Sequence, residues 1–330
     1  MEQKRKWRFG VNRWIILALI ILNVVAVSLY QPMRPHIQLP AEALTGTLFT
    51  LPVIGEFYLT NTLVATALGY IVLLLIAFNI NRAIKSGEMV PKGLSGAVIA
   101  FLEALYNMTE ATAGKWARRI FPFFATITLL LLVVNWMELL PGVDSLGKLD
   151  VHHIHHPELC NFIQLPFNVV GVTGDNECAS GVIPFVRAAA TDLNFTLALA
   201  IIAVVMVQVI GFSAQGLGYL GKFINTKTIF SKPIFGVIDF AVGLLELISE
   251  ISKVLSFAFR LFGNIFAGAV LIFVIGTLVP VFALTGVFML EFFVGAIQAI
   301  VFGLLTMTFM AQATQSHGHE EHHEEAVAAH

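Results

Sequence analysis

The stretch SFAFRLFGNIFAG, residues Ser256 to Gly268, places one positive charge, Arg260, in the middle of an apolar region. No other charged residue occurs from Val254 to Leu290. A guanidinium stays protonated in proteins, and a charge at membrane depth is costly, so such a residue usually has a function. Asn264 lies four residues further on and therefore shares the arginine's face of a helix. We expect this face to meet a functional partner.

The composition is that of a helical membrane protein. Of the 330 residues, 57% are hydrophobic and 12% are charged, whereas soluble domains carry about 25% charged residues. Several uncharged runs are about 20 residues long, which is enough for a helix to cross a bilayer. The formal net charge of −2 gives no sign of nucleic-acid binding. The sequence also has no nucleotide-binding glycine loop, so we expect this chain to bind neither nucleic acid nor ATP.

The apolar runs predict an all-α integral membrane fold with six spans. The predicted spans cover residues 14–30, 57–81, 120–140, 193–212, 236–278 and 282–314, and a short interfacial helix is predicted over residues 94–119. Residues 1–31 form an additional N-terminal span, with a cleaved signal peptide as the alternative because lysines and arginines precede the apolar run. Residues 32–330 are predicted to form a single membrane domain.

The predicted helix over residues 236–278 is too long to cross a membrane upright. It would span roughly 60 Å at ~1.5 Å per residue, about twice the ~30 Å of a bilayer core. We expect this helix to be strongly tilted, or to run partly along the membrane surface. Pro280 marks the turn into the last helix. The predicted helices 236–278 and 282–314 are therefore a pair of long helices joined by a short turn.

Lysine and arginine distribution predicts the orientation. Segments 82–119 and 213–232 and the N-terminus are rich in these residues, so we expect them to be cytoplasmic. Segments 31–56 and 141–190 are poor in them, so we expect them to be external. The protein is therefore predicted to be a multi-pass protein of the cell inner membrane with both termini cytoplasmic, including the polar tail 316–330.

Polar side chains lie on one face of each of the last two predicted helices. Arg260 and Asn264 share a face of the first helix, and Glu291, Gly295 and Gln298 form one stripe on the second. If the helices are antiparallel about their turn, Arg260 and Gln298 lie at similar depth. A structural ion pair between Arg260 and Glu291 is the alternative to a functional site.

Further ionisable groups flank these helices, and each has a structural alternative. Glu246, Glu250 and Lys253 precede the arginine. The last two are three residues apart, so the alternative for them is that they simply pair with each other. Asp192 precedes an apolar run, where aspartate commonly caps a helix. Glu138 ends a predicted span and lies either in the membrane interface or in solvent.

Three motifs together resemble subunit a of F-type ATP synthases. They are RLFGN followed by AG (260–268), NWMELLPG (135–142) and TDLNFTLALA (191–200). The resemblance covers roughly residues 45–316 and implies five family helices, with the long tilted pair next to a rotor ring. It implies a proton-translocating stator subunit that provides two offset half-channels to the carboxylates of the c-ring. The implied partners are the c-ring, the peripheral-stalk b subunits, the rest of the ATP synthase and the lipid bilayer, with ATP chemistry on partner subunits.

The resemblance also implies roles for individual residues in proton translocation. Arg260 matches the family's essential arginine, which separates the half-channels and promotes deprotonation of the ring carboxylates. The other matched positions are Asn264 and Gln298 near the arginine, Glu291, Glu138 and Asp192 on the external path, and Glu246 and Ser256 on the cytoplasmic path. Ala269 departs from the acid or histidine that some members carry after AG, so Glu291 would act without a partner on the arginine helix.

The histidines and cysteines do not fit the resemblance. The cluster HHIHH at 152–156 with Cys160 offers zinc ligands in an unusual spacing, or a proton-collecting surface. Cys160 and Cys178 lie in a predicted external segment, where a disulfide forms readily. The histidine-rich tail is predicted to be a solvated end, and we expect neither a metal nor a cofactor.

Two other classes of function stay open at this point. A secondary ion transporter or antiporter would use Arg260 and Glu291 as a site within the membrane, but that class often has two related halves, and none is visible here. A non-conducting scaffold would use the arginine as a structural clip. The sequence leaves H⁺ and Na⁺ both open as the transported ion, because ion choice lies mainly in the ring.

Overall fold

The computed structural model describes residues 9–29, 41–47, 49–51, 55–85, 93–140, 147–149, 161–165, 169–173, 182–216, 218–219, 233–279 and 283–315. Seven α-helices lie within these ranges: α1 (Phe9–Leu29), α2 (Asn61–Lys85), α3 (Leu94–Ala113), α4 (Ala117–Met137), α5 (Leu193–Gln215), α6 (Pro233–Leu278) and α7 (Ala283–Ala313). Two short 3₁₀ turns, Gly114–Trp116 and Ala189–Thr191, precede α4 and α5.

Five helical stretches in the described part of the chain are long and apolar enough to cross a membrane. They are Asn61–Lys85, Ser95–Met137, Leu193–Gln215, Phe240–Gly276 and Ala283–Ala313. They confirm the predicted helical membrane class and the five family helices. The helix α1 coincides with the predicted N-terminal span. Its crossing of the membrane, and the division into residues 1–31 and 32–330, stay predictions.

The longest helix is α6, with 46 residues, or about 70 Å at ~1.5 Å per residue. Its bounds agree closely with the predicted range 236–278, and α7 agrees with the predicted range 282–314. Between α3 and α4 the α-helical backbone is interrupted at Gly114, whose φ of 50° lies in the left-handed region that glycine adopts without strain. The break separates α3 from the following span a few residues earlier than predicted.

Short antiparallel strands lie between the helices, and the sequence reading did not predict them. Strands β1 (Phe49–Leu51) and β2 (Gly55–Phe57) form a hairpin, and β3 (Gly147–Leu149), β4 (Asn161–Leu165), β5 (Val169–Thr173) and β6 (Val182–Pro184) form a sheet in the order β4-β5-β3-β6. The predicted external loop 141–190 therefore contains a four-stranded sheet. Valine, isoleucine and threonine recur in these strands and favour extended backbone, but runs of three to five residues give little periodicity.

The chain folds into two compact units. The first comprises Met1–Ala65, Trp136–Ala188 and Ile265–Gly295, and the second comprises Thr66–Asn135, Ala189–Asn264 and Ala296–His330. The helices α4, α6 and α7 each contribute one part to each unit. Arg260, Asn264 and Gln298 belong to the second unit, and Glu138 and Glu291 belong to the first.

The second unit has an apolar core built from α3, α4, α5 and α7. Its buried members are Leu105, Ile120, Phe124, Val207, Ile210, Tyr219, Met307, Met310 and Ala313. Helices α4 and α7 approach closely at Gly303, where a Cβ atom would overlap Thr128 Oγ1 and lie 2.8 Å from Phe124 Cε2. Small residues allow this approach, as is common where membrane helices pack.

Candidate functional site

Arg260 lies in the second unit, half-buried on α6. Its neighbours Phe257 and Leu261 are buried, whereas Phe259 is exposed. Within the described part of this unit, Arg260 has no hydrogen bond, ion pair or ring contact. The helix thus places a cation that has no partner among these described residues at the edge of its packed face, which is costly at membrane depth.

Asn264 and Gln298, the two amides predicted to lie near the arginine, contact each other in the same unit. Asn264 Nδ2 donates a hydrogen bond to Gln298 Oε1 at 2.7 Å. Gln298 is 4% exposed, and among the described residues its Nε2 has no hydrogen-bond partner. Since a buried amide normally satisfies its donors, these two N–H groups are available to a water or to a partner from outside the chain.

Glu250 and Lys253 form an ion pair on α6, two turns before Arg260. Lys253 Nζ lies 2.7 Å from Glu250 Oε1 and 5.0 Å from the ring centroid of Phe309. The alternative that these two residues pair with each other is confirmed. Of the residues predicted for the cytoplasmic path, Glu246 is half-buried and Ser256 is exposed.

Tyr219 is a buried polar residue near these carboxylates that the sequence reading missed. Its hydroxyl donates to Gln208 Oε1 at 2.8 Å, and its ring packs against Gly211. Burial raises the pKa of Tyr219 to about 12, and the carboxylates of Glu250 and Glu246 add to the increase. A single tyrosine in a connecting segment carries no pattern that would have marked it.

Asp192 caps α5, as the structural alternative proposed. Its side chain accepts a hydrogen bond from the Asn194 N–H at 2.9 Å, and the residue is buried. This is the usual geometry for an aspartate at a helix N-terminus. A second role of Asp192 on a proton path stays a prediction.

Glu291 lies in the first unit, with its carboxylate directly against the backbone of Gly268. A Cβ atom at Gly268 would overlap this carboxylate and lie 2.6 Å from Oε1. Glu291 is half-buried, and within the described residues of its unit it has no hydrogen-bond or ion-pair partner. Because Gly268 has no side chain, a neighbouring group can lie against its backbone, and that group is the Glu291 carboxylate.

Trp136 connects the end of α4 to α7 within the first unit. Its Nε1–H donates to the backbone carbonyl of Phe292 at 3.1 Å, and the two rings stack with centroids 4.5 Å apart and planes inclined by 11°. Glu138 lies half-buried in the turn that follows. In the sequence, NWMELLPG indicates only the family resemblance, and this contact cannot be predicted from it.

The remaining sequence candidates lie outside the described residues. They are the histidine cluster 152–156, Cys160, Cys178 and the tail 316–330. Within the ranges that the structure does describe, no group of three or more histidine, cysteine or acidic side chains is placed to hold a metal ion.

These features define a class of protein: a helical membrane protein whose long apolar helices carry ionisable and amide side chains, as ion-translocating proteins do. The family model described as ATP synthase A chain matches residues 62–311, so the chain belongs to the ATP synthase subunit a family. It is thus a multi-pass membrane subunit of an F-type ATP synthase, and the predicted resemblance is confirmed.

Individual relatives agree with this assignment. ATP synthase subunit a of Mycobacterium bovis and that of Mycobacterium tuberculosis are each 29% identical over 290 residues, which cover 86% of this chain and 98% of theirs. ATP synthase subunit a of Moorella thermoacetica is 26% identical over 267 residues, covering 81% of this chain and 95% of its own length. The assignment favours a subunit of the synthase over the secondary transporter.

Proposed function

We propose that this chain is the proton-translocating stator subunit of the synthase and that Arg260 separates two half-channels leading to the rotor ring. The observation that carries the proposal is the half-buried guanidinium, which has no polar partner among the described residues of its unit. A chain that folded in isolation would gain by neutralising this charge. A guanidinium that has no counter-charge among the described residues of its unit is expected if its partner is a carboxylate of another, moving subunit.

The chemistry of arginine suits this role. Its charge is permanent, since the guanidinium does not lose its proton in proteins. An opposite charge stabilises the ionised form of a nearby carboxylate, so a ring carboxylate that reaches Arg260 would release its proton. The same cation repels protons that would otherwise pass straight from one half-channel to the other.

The Asn264–Gln298 pair supports the arginine from one turn away. The 2.7 Å hydrogen bond between the two side chains fixes the orientation of the buried Gln298 amide. Its two remaining N–H groups are donors that suit a carboxylate or a water molecule close to the ring. The pair would therefore order the polar environment through which the ring carboxylate moves.

The other predicted residues would line the two paths. On the cytoplasmic side, Glu246 and Ser256 would conduct protons to the ring. On the external side, Glu291, Glu138 and Asp192 would do so. Titratable groups within apolar spans are suited to passing protons when water connects them. The assigned directions rest on the predicted orientation with both termini in the cytoplasm.

Assembly with the rest of the synthase follows from the same proposal. The 46 residues of α6 exceed what an upright span needs, so we infer that α6 and α7 lie tilted along the c-ring. The peripheral-stalk b subunits would hold the chain in the stator. ATP would be made or hydrolysed on other subunits, and this chain would not be an enzyme by itself.

The test is ATP-driven proton pumping by membrane vesicles that contain the assembled complex with Arg260→Ala. We expect pumping to fall on the order of 100-fold or more, since the lost stabilisation of a desolvated charge is worth about 3–5 kcal/mol. Lys253→Ala is the matched control, because it removes a cation from the same helix that already has a partner. If the Arg260→Ala complex assembles as well as the wild type and still pumps protons, the proposal is refuted.

A further inference from the structure

We propose that Trp136 is a positioning residue that holds the turn carrying Glu291 against the turn carrying Glu138. The inference deepens the proposed function, on which it rests, by explaining how a carboxylate in the turn after α4 and a carboxylate on α7 keep a fixed spacing. Trp136, Glu138 and Glu291 all belong to the first compact unit.

The first link is the side chain of Trp136. Its indole N–H donates to the Phe292 carbonyl at 3.1 Å, and its ring stacks on the Phe292 ring at 4.5 Å. A carbonyl oxygen accepts two hydrogen bonds, so the indole can bind it without opening α7. The two contacts together fix both the position and the rotation of the helical turn that carries Glu291.

The second link is the backbone of Trp136. Its carbonyl accepts the Leu139 N–H at 3.1 Å, and the Met137 carbonyl accepts the Leu140 N–H at 3.3 Å. These bonds tighten the last turn of α4 and set the position of Glu138 between them. One residue therefore connects the Glu138 turn through its main chain and the Glu291 turn through its side chain.

Glu291 depends on such support because little else orients it. Its carboxylate rests on the bare backbone of Gly268, and no hydrogen bond or ion pair holds it within the described residues of its unit. The course of the α7 backbone therefore largely determines where the carboxylate lies. Displacement of a transfer group by about 1 Å is enough to lower a rate severalfold or more.

The experiment compares proton pumping by the assembled complex in Trp136→Phe and Trp136→Leu. Phenylalanine keeps the stacking and removes the N–H, whereas leucine removes both. We expect Trp136→Leu to lower pumping about threefold to tenfold, the effect of losing about 1 kcal/mol of positioning, and Trp136→Phe to lower it by about half as much on a logarithmic scale. Trp14→Leu is the matched control, since this tryptophan is 73% exposed on α1.

The same substitutions are then made in a Glu291→Gln background, which separates positioning from general packing. A residue that acts through Glu291 loses its effect once the carboxylate is gone, so Trp136→Phe should change residual pumping by less than about 1.5-fold there. An equal loss in both backgrounds, or no loss beyond Trp14→Leu, would overturn the inference while leaving the proposed function intact. If Glu291→Gln itself pumps normally, the role of Glu291 in the proposed function fails as well. If Trp136→Leu does not assemble, the Trp136→Phe cycle alone decides the question.

Discussion

The two cations of α6 differ in the contacts that they make with the described part of the chain. Lys253 is paired with Glu250 at 2.7 Å and lies over the ring of Phe309. Arg260, seven residues later and on the same face of the helix, is half-buried and has no polar partner in the described part of its unit. The fold can neutralise a cation on this face and does so two turns away. Arg260 is therefore the cation for which we propose a partner from outside the chain.

A similar contrast exists between two carboxylates. Glu250 is 7% exposed and holds a lysine, whereas Glu291 lies against the bare backbone of Gly268. A carboxylate that is hydrogen-bonded to a lysine contributes to structure. A carboxylate packed on a glycine keeps its oxygens available for a proton or for water. The contrast separates groups that stabilise the subunit from groups that we propose to move protons.

The largest effect should come from Arg260→Lys, which keeps a positive charge but not its chemistry. Lysine is a compact cation that loses its proton readily when it is desolvated. We expect ATP-driven pumping to fall on the order of 100-fold with normal assembly. Near-normal pumping would show that any cation suffices at this position, and that the permanence of the charge is irrelevant.

Gly268→Ala should have the next largest effect, because the added methyl group would occupy the space of the Glu291 carboxylate. The carboxylate is the end of a flexible side chain, so we expect it to move rather than the helices to separate. Pumping should fall about tenfold, the cost of a displaced transfer group. Glu291→Asp, with its shorter side chain, should recover part of the loss. A double variant that pumps no better than Gly268→Ala would contradict this account of the contact.

Lys253→Ala should change stability rather than transport. It removes the hydrogen bond to the buried Glu250, and we expect the apparent Tm of the purified complex to fall by about 3 °C. Proton pumping per assembled complex should stay within about twofold of the wild type. The double variant Lys253→Ala, Glu250→Gln should regain part of the Tm. A large specific loss of pumping in Lys253→Ala would contradict the claim that Lys253 is a structural cation and Arg260 a functional one.

Tyr219→Phe should have the smallest effect and should appear only at high pH. The pKa of Tyr219 is raised from 10.0 to about 12, so between those values the folded state holds a proton that the unfolded state releases. Its contribution to stability is complete below pH 10 and is lost as the pH rises from about 10 to about 12. We expect the difference in stability between wild type and Tyr219→Phe to shrink across this interval, measured by thermal unfolding. Parallel curves would show that the hydroxyl is not buried.

The helices could be predicted from the sequence because they follow from runs of apolar residues. The charged candidate residues could be selected because they interrupt or flank these runs. The bounds of α6 and α7 were predicted within a few residues. The strands were missed because three to five residues carry too little periodicity.

Contacts between distant segments of the chain also could not be predicted from the sequence. Periodicity tells which face of a helix a residue occupies, but not which residue of another helix it meets. The contacts of Trp136 with Phe292 and of Gly268 with Glu291 depend on how the helices pack. The sequence of Asp192 and Glu250 was consistent both with a structural role and with a role in transport. Only the geometry shows that Asp192 caps a helix and that Glu250 pairs with Lys253.

The most direct test of the central claim is passive proton flux through membranes stripped of the catalytic part, measured beside ATP-driven pumping in the intact complex. Arg260→Ala, Lys253→Ala and wild type would be compared at equal amounts of assembled subunit. If Arg260 is the barrier and release group between two half-channels, Arg260→Ala loses coupled pumping while its passive flux persists or rises, and Lys253→Ala keeps both near wild type. Coupled pumping that survives in Arg260→Ala would contradict the account and make the arginine a structural residue.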